Sequence, residues 1–326
     1  MNKTQIDVPN KYCVDDGDLL ISWSATIGFY IWNGGKAYLN QHIFKVIPKD
    51  NITKMYLYYL GDMITAEIKK KVHGIAMTHI TKGMFDSIEI PLPPLSVQEE
   101  IVSEIEQYQK IIDGARQVVN NYKPTIKVKP QWNETEVGDM YEISYGVTIS
   151  IPQNEDENGI KIISTAEVGL DGQLDLSEIR KVRYEHKYEK FVLEPDTLLF
   201  NWRNAPKHVG KTAWFLQEDD RYISASFLLS MKNKNPSCYD NGFVWCALNN
   251  LRETGYFMRN ARQAVNQSNF NGDQLAKTKL RMPNIDEQKR IMATIYEEMM
   301  IVEQNKQLIQ IFEKKIKDKM AEVWGE

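Results

Sequence analysis

The stretch Ile-Pro-Leu-Pro-Pro-Leu-Ser-Val-Gln-Glu-Glu-Ile (Ile90–Ile101) returns in weaker form as Leu-Arg-Met-Pro-Asn-Ile-Asp-Glu-Gln-Lys-Arg-Ile (Leu280–Ile291). Each copy leads directly into a long charged segment with regularly spaced apolar residues. A unit of this size that occurs twice predicts two similar globular modules, each followed by a long helix. Such an arrangement favours a molecule that bridges two sites, or sets the distance between them, over one with a single catalytic cleft. Three pairs of residues align at one constant separation: Pro93 with Pro283, Gln98 with Gln288, and Ile101 with Ile291.

The two segments that follow this repeat carry apolar residues at heptad spacing. Between Val97 and Tyr122 the spacings alternate between four and three, and between Asp286 and Val323 apolar residues recur every seven positions. This pattern is typical of helices that pair along an apolar seam. Two separate helices, each buried on one side, are the alternative, but their position after the same element favours mutual pairing. The residues expected to face one another are Ile101, Ile105, Ile112 and Val119 on the first helix and Ile295, Val302, Ile309 and Ile316 on the second.

The composition is that of an ordinary soluble protein. A chain of 326 residues is long enough for two domains with cores of their own. No apolar run approaches the ~20 residues that span a bilayer, and the polar start Met1–Gln5 lacks the apolar core of a signal peptide. The three cysteines form no close-set motif, which indicates a reducing compartment. The cytoplasm is therefore the expected location.

The charge distribution says more than the net charge of −4. The region from Thr197 to Arg281 contains twelve Lys and Arg residues and six Asp and Glu residues, a local excess of +6. A basic region inside an acidic chain can engage phosphate groups. Scattered, solvated lysines would give the same count, so charge alone does not decide between the two interpretations.

The second module repeats the first only in part. Thr197–Trp202 corresponds to Asp18–Trp23, and the residues around Leu228 correspond to those around Phe44. About sixty residues precede the matched strand in the second module, but only about a dozen precede it in the first. The sequence therefore predicts that the first domain lacks its opening half. The expected organisation is a partial first domain over 1–95, a long helix over 96–123, a linker over 124–131, a second domain over 132–284 and a second long helix over 285–326.

These features together resemble one protein family. They are the Gly17-Asp18-Leu19-Leu20 strand, the duplicated proline–glutamine element before each helix, and the Tyr145-Gly146-Val147-Thr148 motif near the start of the second domain. The chain resembles the DNA-specificity subunit of type I restriction–modification systems over nearly its whole length. The resemblance implies an α+β fold with two α/β target-recognition domains, the first incomplete, separated by two long helices that form an antiparallel coiled coil. Each domain would read half of a bipartite double-stranded DNA site.

Candidate DNA-binding residues cluster in two polar stretches of the second domain. Arginine can donate twice to guanine, asparagine and glutamine can bond twice to adenine, and lysine can neutralise phosphate. A helix cap with an exposed turn is the plainer interpretation of the second stretch. Trp202 is expected to pack in the core. The candidates are Asn201, Arg203, Asn204, Lys207 and Lys211 in the first stretch, Arg262, Asn266, Gln267 and Asn269 in the second, and Thr148, Ser24, Thr26 and His79 elsewhere.

The resemblance also implies partners. Each of the two domain–helix junctions would recruit one methyltransferase subunit, and a restriction subunit would join the complex. A second chain that supplies the missing half-domain is a further expected partner. The candidate docking residues are Pro93, Gln98, Glu99, Pro283, Glu287 and Gln288.

The sequence contains no complete catalytic motif. Gly210-Lys211-Thr212 imitates the end of a phosphate-binding loop, but Ala205 stands where the motif needs glycine. The five histidines have no metal-ligand spacing. We expect no cofactor, no metal and no enzymatic activity of the chain itself. The alternative function is a truncated or recombining specificity cassette that acts as a protein–protein scaffold without full-site DNA binding.

Overall fold

The computed structural model describes residues 9, 12–23, 27–71, 82–149, 158–218, 220–264 and 267–325. The chain divides into two compact units. The first unit comprises Met1–Asn121 together with Val302–Glu326, and the second comprises Tyr122–Ile301. Strands and helices are mixed in both, which confirms the α+β fold class.

The first unit opens with short strands and continues with helices. Its elements are β1 (Cys13–Val14), β2 (Leu19–Ser22), β3 (Gly28–Ile31), β4 (Ala37–Tyr38), β5 (Ile43–Val46), α1 (Lys54–Tyr59), α2 (Gly61–Lys71), α3 (Lys82–Asp86) and α4 (Leu95–Asn121).

The second unit contains most of the strands. Its elements are β6 (Asn133–Glu136), α5 (Val137–Met140), β7 (Tyr141–Tyr145), β8 (Ile160–Ile163), β9 (Arg180–Val182), β10 (Thr197–Asn201), β11 (Arg203–Asn204), β12 (Thr212–Phe215), β13 (Tyr222–Ser224), β14 (Leu228–Asn233), α6 (Asn241–Glu253), α7 (Tyr256–Asn260), β15 (Arg262–Ala264), β16 (Gln267–Asn269), α8 (Gly272–Ala276), β17 (Lys279–Met282) and α9 (Ile285–Trp324). The part of α9 from Val302 onward belongs to the first unit.

In the first unit, β2 is the central strand of a three-stranded antiparallel sheet with β3 and β5 on its two sides. Two helices, α1 and α2, follow this sheet and are separated at Leu60. A side chain at Gly61 would meet the Phe29 ring at 2.6 Å, so glycine allows the start of α2 to approach β3 closely. The buried face of these helices packs on α4 through Tyr56, Leu60, Ile101 and Ile105.

The pairing of α4 with the last part of α9 is antiparallel, as predicted. Glu104 forms an ion pair with Lys319 at 3.0 Å, and Arg116 forms one with Glu313, so the partner number falls as the α4 number rises. Ile101 and Ile105 share an apolar cluster with Ile316, Met320 and Val323. The expected place of Ile295 on this seam is wrong, because Ile295 is buried in the core of the second unit.

The second unit is built on a four-stranded antiparallel sheet of order β12-β10-β14-β7. Three smaller sheets adjoin it: β13-β8-β9, β11-β16-β15 and β17-β6. The core gathers large side chains of α6 and the central strands, including Phe200, Phe243 and Trp245. The expected linker 124–131 forms no helix or strand, but it is not free, since Ile126 is buried in this core and its backbone amide donates to Asn250 Oδ1 at 2.7 Å.

The two sheets share the same pairing register. Leu19 of β2 pairs with Val46 of β5, as Leu198 of β10 pairs with Met231 of β14. The Trp23 amide donates to the His42 carbonyl at 3.2 Å, and the Trp202 amide donates to the Phe227 carbonyl at the same distance. The strands β2 and β5 therefore correspond to β10 and β14, as the sequence alignment of the two modules predicts, and the structure adds the correspondence of β3 with β12.

Candidate nucleic-acid interface

The two polar stretches of the second unit meet in one small sheet. Arg203 of β11 pairs with Asn269 of β16, and Asn204 pairs with Ser268. Arg262 of β15 pairs with Asn269 from the other side of β16. The structure thus brings together residues that lie about sixty positions apart in the sequence. The plainer interpretation of the second stretch, a helix cap with an exposed turn, is therefore wrong, because Arg262–Ala264 and Gln267–Asn269 form paired strands.

Arg203 is held in place by two neighbours. Its Nε and Nη2 atoms both donate to Gln267 Oε1, at 3.0 and 2.8 Å. Its guanidinium carbon lies 4.9 Å from the centre of the Phe227 ring, a cation–π distance. Gln267 is exposed, and Phe227 is 40% exposed. The arrangement fixes a planar set of donors beside an amide on an accessible surface.

Lys211 does not contribute to this surface. Its side chain is buried, and Nζ donates to the carbonyl oxygens of Thr165, at 3.0 Å, and Val168. Burial lowers the pKa of this ammonium group, with a smaller contribution from Arg252, while Glu167 acts in the opposite direction. The predicted contact of Lys211 with phosphate is therefore not supported, because the charge is already used inside the protein.

Asn201 is also turned inward. The residue is fully buried, and neither polar atom of its amide has a hydrogen-bond partner among the described residues. Its backbone closes the loop instead, since the amide donates to Lys211 O and the carbonyl accepts from Gly210 N, both at 2.8 Å. Gly210 has φ +86°, and a side chain there would meet the Phe257 ring at 2.3 Å, so this turn requires glycine. A base edge outside the protein is out of reach of the Asn201 amide.

The remaining candidates differ in accessibility. Lys207, Arg262 and Thr148 are exposed. Asn204 is half-buried, and its side-chain oxygen accepts from the Ala205 amide at 2.8 Å. Asn269 is half-buried with an enclosed Oδ1 atom that has no partner among the described residues. Four candidates, Ser24, Thr26, His79 and Asn266, lie outside the described residues.

Aromatic residues at this surface were missed in the sequence. Phe227 lies against Arg203, and Tyr145, which is 47% exposed, makes an edge contact with the Trp202 ring at 5.3 Å between centroids. Trp202 itself packs against the core and donates from Nε1 to Ser226 O at 2.7 Å. The available signal for Phe227 was its position directly before the matched strand that begins at Leu228.

The duplicated glutamines are buried, each at the start of its long helix. Gln98 Nε2 donates to the carbonyls of Asn51, at 3.0 Å, and Pro93, at 2.8 Å, and its Oε1 accepts from the Thr53 amide at 2.9 Å. Thr53 is the residue that caps α1. Gln98 therefore joins α4 to the capping residue of α1 in its own unit.

Gln288 makes the same three bonds in the second unit. Nε2 donates to Cys238 O, at 3.0 Å, and Pro283 O, at 2.8 Å, and Oε1 accepts from the amide of Asp240, the cap of α6, at 2.8 Å. Both glutamines have no exposed surface, so they stabilise the junction and offer no atom to a docking partner. Pro283 is buried as well, Pro93 and Glu287 are half-buried, and Glu99 is exposed.

The described residues form neither a metal site nor a membrane-spanning helix. No group of histidine, cysteine, aspartate or glutamate side chains there could hold a metal ion. Within the same part of the chain, every helix is too short or too polar to cross a bilayer.

Comparison with known proteins identifies a family. The model of the type I restriction modification DNA specificity domain matches residues 2–121 and 130–311. The type I restriction enzyme EcoBI specificity subunit of Escherichia coli is 23% identical over 55% of this chain and 45% of its own length. The MjaVIII specificity subunit of Methanocaldococcus jannaschii is 24% identical over 58% of this chain and 51% of its own length. The chain thus spans about half the length of these curated relatives.

Two solved structures share the fold. One, from a study of complex assembly and conformational transition of the type I R-M system, has a TM-score of 0.59 at 15% identity and covers 96% of this chain and 82% of its own. The type I restriction–modification S subunit from M. genitalium has a TM-score of 0.54 at 10% identity and covers 97% of this chain and 84% of its own. At these identities the likeness concerns the fold alone.

Proposed function

The chain belongs to the family of type I restriction–modification DNA specificity domains, and from this premise we propose that it is a DNA-recognition and scaffold subunit of such a complex. Its curated relatives are specificity subunits, so the chain is no enzyme in its own right. In this proposal each unit reads one half of a bipartite site. The observation that carries the proposal is the β11-β16-β15 sheet, which joins two polar stretches on one accessible surface.

Arg203 and Gln267 are the proposed base-reading pair. The arginine fork matches the O6 and N7 atoms of guanine, and a glutamine amide matches the N6 and N7 atoms of adenine. In the protein alone the two side chains hold one another, and Phe227 supports the guanidinium group from one face. Groups already held in position lose less conformational entropy when they bind. This pre-orientation supports a role in recognition over a role as a solvated surface charge.

The phosphate contacts are assigned to the exposed basic residues around this pair. Lys207 and Arg262 are exposed, and both lie within the region whose net charge is +6. Contacts of this kind give attraction for any duplex and position the protein without reading sequence. Asn204 and Thr148 lie in the same unit and are proposed as further contacts. Lys211 and Asn201 are excluded from the proposal because both are buried.

The scaffold part of the proposal concerns the two junctions. Because Gln98 and Gln288 are enclosed, a methyltransferase subunit has to bind the residues around them. At the first junction the accessible residues include Glu99 and three apolar side chains, Leu92, Leu95 and Val97, which are between 38% and 47% exposed. An apolar group of this kind at the start of a helix suits a protein partner. The restriction subunit and a chain that carries the missing half-domain are the other proposed partners.

Duplex binding by two variants tests the recognition role. Arg203→Ala should cost about 1–3 kcal/mol of binding free energy and relax the preference at one base pair. Lys207→Ala should weaken binding to every duplex and reduce the slope of log K against log salt by about 0.9. Fluorescence anisotropy over a range of salt concentrations measures both effects. Lys289→Ala, a change of an exposed lysine on α9, is the control.

The same experiment distinguishes DNA recognition from the second candidate function, a protein–protein scaffold that does not bind DNA. If the chain binds a methyltransferase subunit but no duplex at any salt concentration, it is a protein–protein scaffold, and the recognition proposal fails. If Arg203→Ala and Lys289→Ala behave alike, the Arg203 surface does not face DNA.

A further inference from the structure

Four polar side chains share one face of the β11-β16-β15 sheet. Residues that pair across an antiparallel sheet point to the same face, and so do residues two positions apart on one strand. Arg203 and Arg262 both pair with Asn269, and Gln267 lies two residues before Asn269 on β16. Ser268, which alternates with them on that strand, is fully buried. The face that carries the two arginines and Gln267 is therefore the outer face of the sheet.

The contact between Arg203 and Gln267 uses only one edge of the guanidinium group. Nε and Nη2 donate from the same side of this planar group to Gln267 Oε1, at 3.0 and 2.8 Å. Because a guanidinium group has five N–H donors, its tip keeps one N–H on each of Nη1 and Nη2, and these two are parallel. Among the described residues no acceptor bonds to the tip. Arg203 thus retains a second edge with two donors after it has bound Gln267.

Gln267 can no longer act as an acceptor in this contact. An amide oxygen has two lone pairs, and Oε1 already receives two N–H groups from Arg203. Chemistry fixes the orientation of the amide, because arginine has no acceptor to which the amide nitrogen could donate. Nε2 keeps its two donors on an exposed side chain, with no other hydrogen-bond partner in the part of the chain that the structure describes. Arg203 and Gln267 together therefore present donors only.

A pair that only donates is restricted in the bases that it can read. Glutamine reads adenine by accepting from N6 and donating to N7, but the Oε1 atom of Gln267 is already occupied. In the major groove guanine offers two acceptors, O6 and N7, and thymine offers O4. Adenine and cytosine each present an amino group there, which is a donor. The pair is therefore matched by bases that carry a carbonyl oxygen in the major groove and opposed by bases that carry an amino group.

The width of the sheet favours the major groove. Neighbouring strands lie about 4.8 Å apart, so three strands span roughly 10 Å before side chains are counted. The sheet β11-β16-β15 has three strands. The minor groove of a duplex is about 6 Å wide, and the major groove is about 12 Å wide. The outer face of this sheet can therefore approach base edges from the major groove and is too wide for the minor groove.

We propose that Arg203 reads a guanine with the tip of its guanidinium group, and that Gln267 selects guanine or thymine, instead of adenine, at the adjacent position. Arg203 fills both acceptors of its guanine, so the Nε2 donors act on the next base, about 3.4 Å away along the strand. Gln267 thus holds Arg203 through Oε1 and excludes adenine through Nε2. The inference rests on the proposed recognition of DNA and specifies the bases that this surface takes.

Selection from a randomised duplex library tests the assignment. The full chain is incubated with duplexes that contain a random segment, and the bound duplexes are sequenced for the wild type and three variants. Arg203→Ala should relax the guanine position and, because Oε1 becomes available, should change the adjacent position to adenine. Gln267→Glu should keep the guanine, since a carboxylate also accepts from Arg203, but should lose the adjacent preference. Gln263→Glu, the same charge change at an exposed position of β15, is the control and should alter neither position.

Affinities for single duplexes give the size of each effect. In the duplex that the wild type selects, 7-deazaguanine in place of the guanine removes N7 and leaves base pairing intact. This change should weaken binding of the wild type by about fivefold or more and should have no effect on Arg203→Ala. Adenine at the adjacent position should weaken the wild type by roughly 5- to 100-fold and should strengthen binding of Arg203→Ala.

The other results would overturn the assignment in distinguishable ways. A wild-type preference for adenine at the adjacent position, or an unchanged adjacent base in Arg203→Ala, would show that Oε1 does not set the choice. Equal losses of affinity on every duplex, with the selected sequence unchanged, would make Arg203 and Gln267 phosphate contacts. In these cases recognition of DNA stands and only the base assignment fails. If the wild type selects no sequence, the proposed recognition function fails together with this inference.

Discussion

The first and second units use the same junction but differ in how their sheets are covered. Gln98 and Gln288 make the same three hydrogen bonds, each to a helix cap and to the proline five residues earlier. The sheets agree in register around β2 and β10. Yet β14 is covered by β7, and β5 has an open side among the described residues. The central sheet and the junction are therefore alike in the two units, whereas Leu229 is buried beneath a further paired strand and Phe44, at the matching position, is 42% exposed.

The largest difference between the units should appear at the matched edge positions. Leu229→Lys would place an unpaired charge in the core of the second unit and should cost more than about 3 kcal/mol of unfolding free energy. Phe44→Lys should cost less than about 1 kcal/mol, because Phe44 is already partly exposed. Denaturant unfolding, combined with mass-spectrometric detection of the first proteolytic cuts, assigns each effect to a unit. Equal losses for the two variants would contradict the difference in coverage.

Substitutions at the two junctions should lower the unfolding free energy by similar amounts, unlike those at the two sheet edges. Gln98→Leu and Gln288→Leu each leave a buried cap amide and two carbonyl groups unpaired, at a cost of about 2–3 kcal/mol. The same unfolding experiment measures both. Glu99→Gln and Lys289→Gln, at exposed neighbouring positions, are the controls and should change stability by less than about 0.5 kcal/mol. A large loss for one glutamine and none for the other would show that the junctions are not equivalent.

A smaller effect should distinguish two lysines of one loop. Lys211→Met removes the bonds to the Thr165 and Val168 carbonyls and should destabilise the second unit by about 1 kcal/mol without changing the salt dependence of duplex binding. Lys207→Met should leave the stability of the second unit unchanged and reduce the salt dependence of duplex binding, since the Lys207 side chain is exposed. Unfolding curves and salt titrations of both variants give the comparison. A reduced salt slope for Lys211→Met would restore Lys211 as a phosphate contact.

The smallest effect should be on pH dependence. Burial lowers the pKa of Lys211 in the folded chain below its usual value of 10.5. Between the two values the unfolded chain binds more protons, so this group makes stability rise with pH in that window. Below the pKa of Lys211 in the folded chain, the full cost of burying its charge lowers stability. Above its pKa in the unfolded chain, the group is neutral in both states and this cost is gone. The rise should be absent from Lys211→Met when unfolding is measured toward alkaline pH, and its persistence there would assign it to another group.

Sequence periodicity predicted the elements that extend over many residues. The heptad stripes gave α4 and the end of α9 to within a few residues, and the alignment of Trp23 with Trp202 gave the correspondence of β2 with β10. These features follow from a local pattern that is repeated many times. The sequence could also indicate that Arg203 and Gln267 belong to polar stretches, because their side-chain chemistry is independent of the fold.

Individual side-chain directions could not be predicted in the same way. Lys211 and Lys207 look alike in a sequence, and only the tertiary position of the Thr165 and Val168 carbonyls decides that Lys211 is buried. Gln98 was assigned to a docking surface because it belongs to the duplicated junction at which the resemblance places a methyltransferase subunit. Its three partners come from Asn51, Thr53 and Pro93, and the first two lie far from it in the sequence. Ile295 fits the heptad pattern, but it packs in the core of the second unit.

The division of α9 between the two units has a consequence for synthesis on the ribosome. The second unit is continuous from Tyr122 to Ile301, but the first unit needs the segment from Val302 onward to cover Ile101 and Ile105. Domains usually complete folding in the order in which they are made, at about 5–20 residues per second. About 200 residues separate the end of α4 from the end of α9. The apolar stripe of α4 therefore stays without its partner helix for roughly 10–40 s during synthesis. The part of the protein that is made first should therefore be the last to complete its fold, and chaperones that bind exposed apolar helices would act on α4 during that interval.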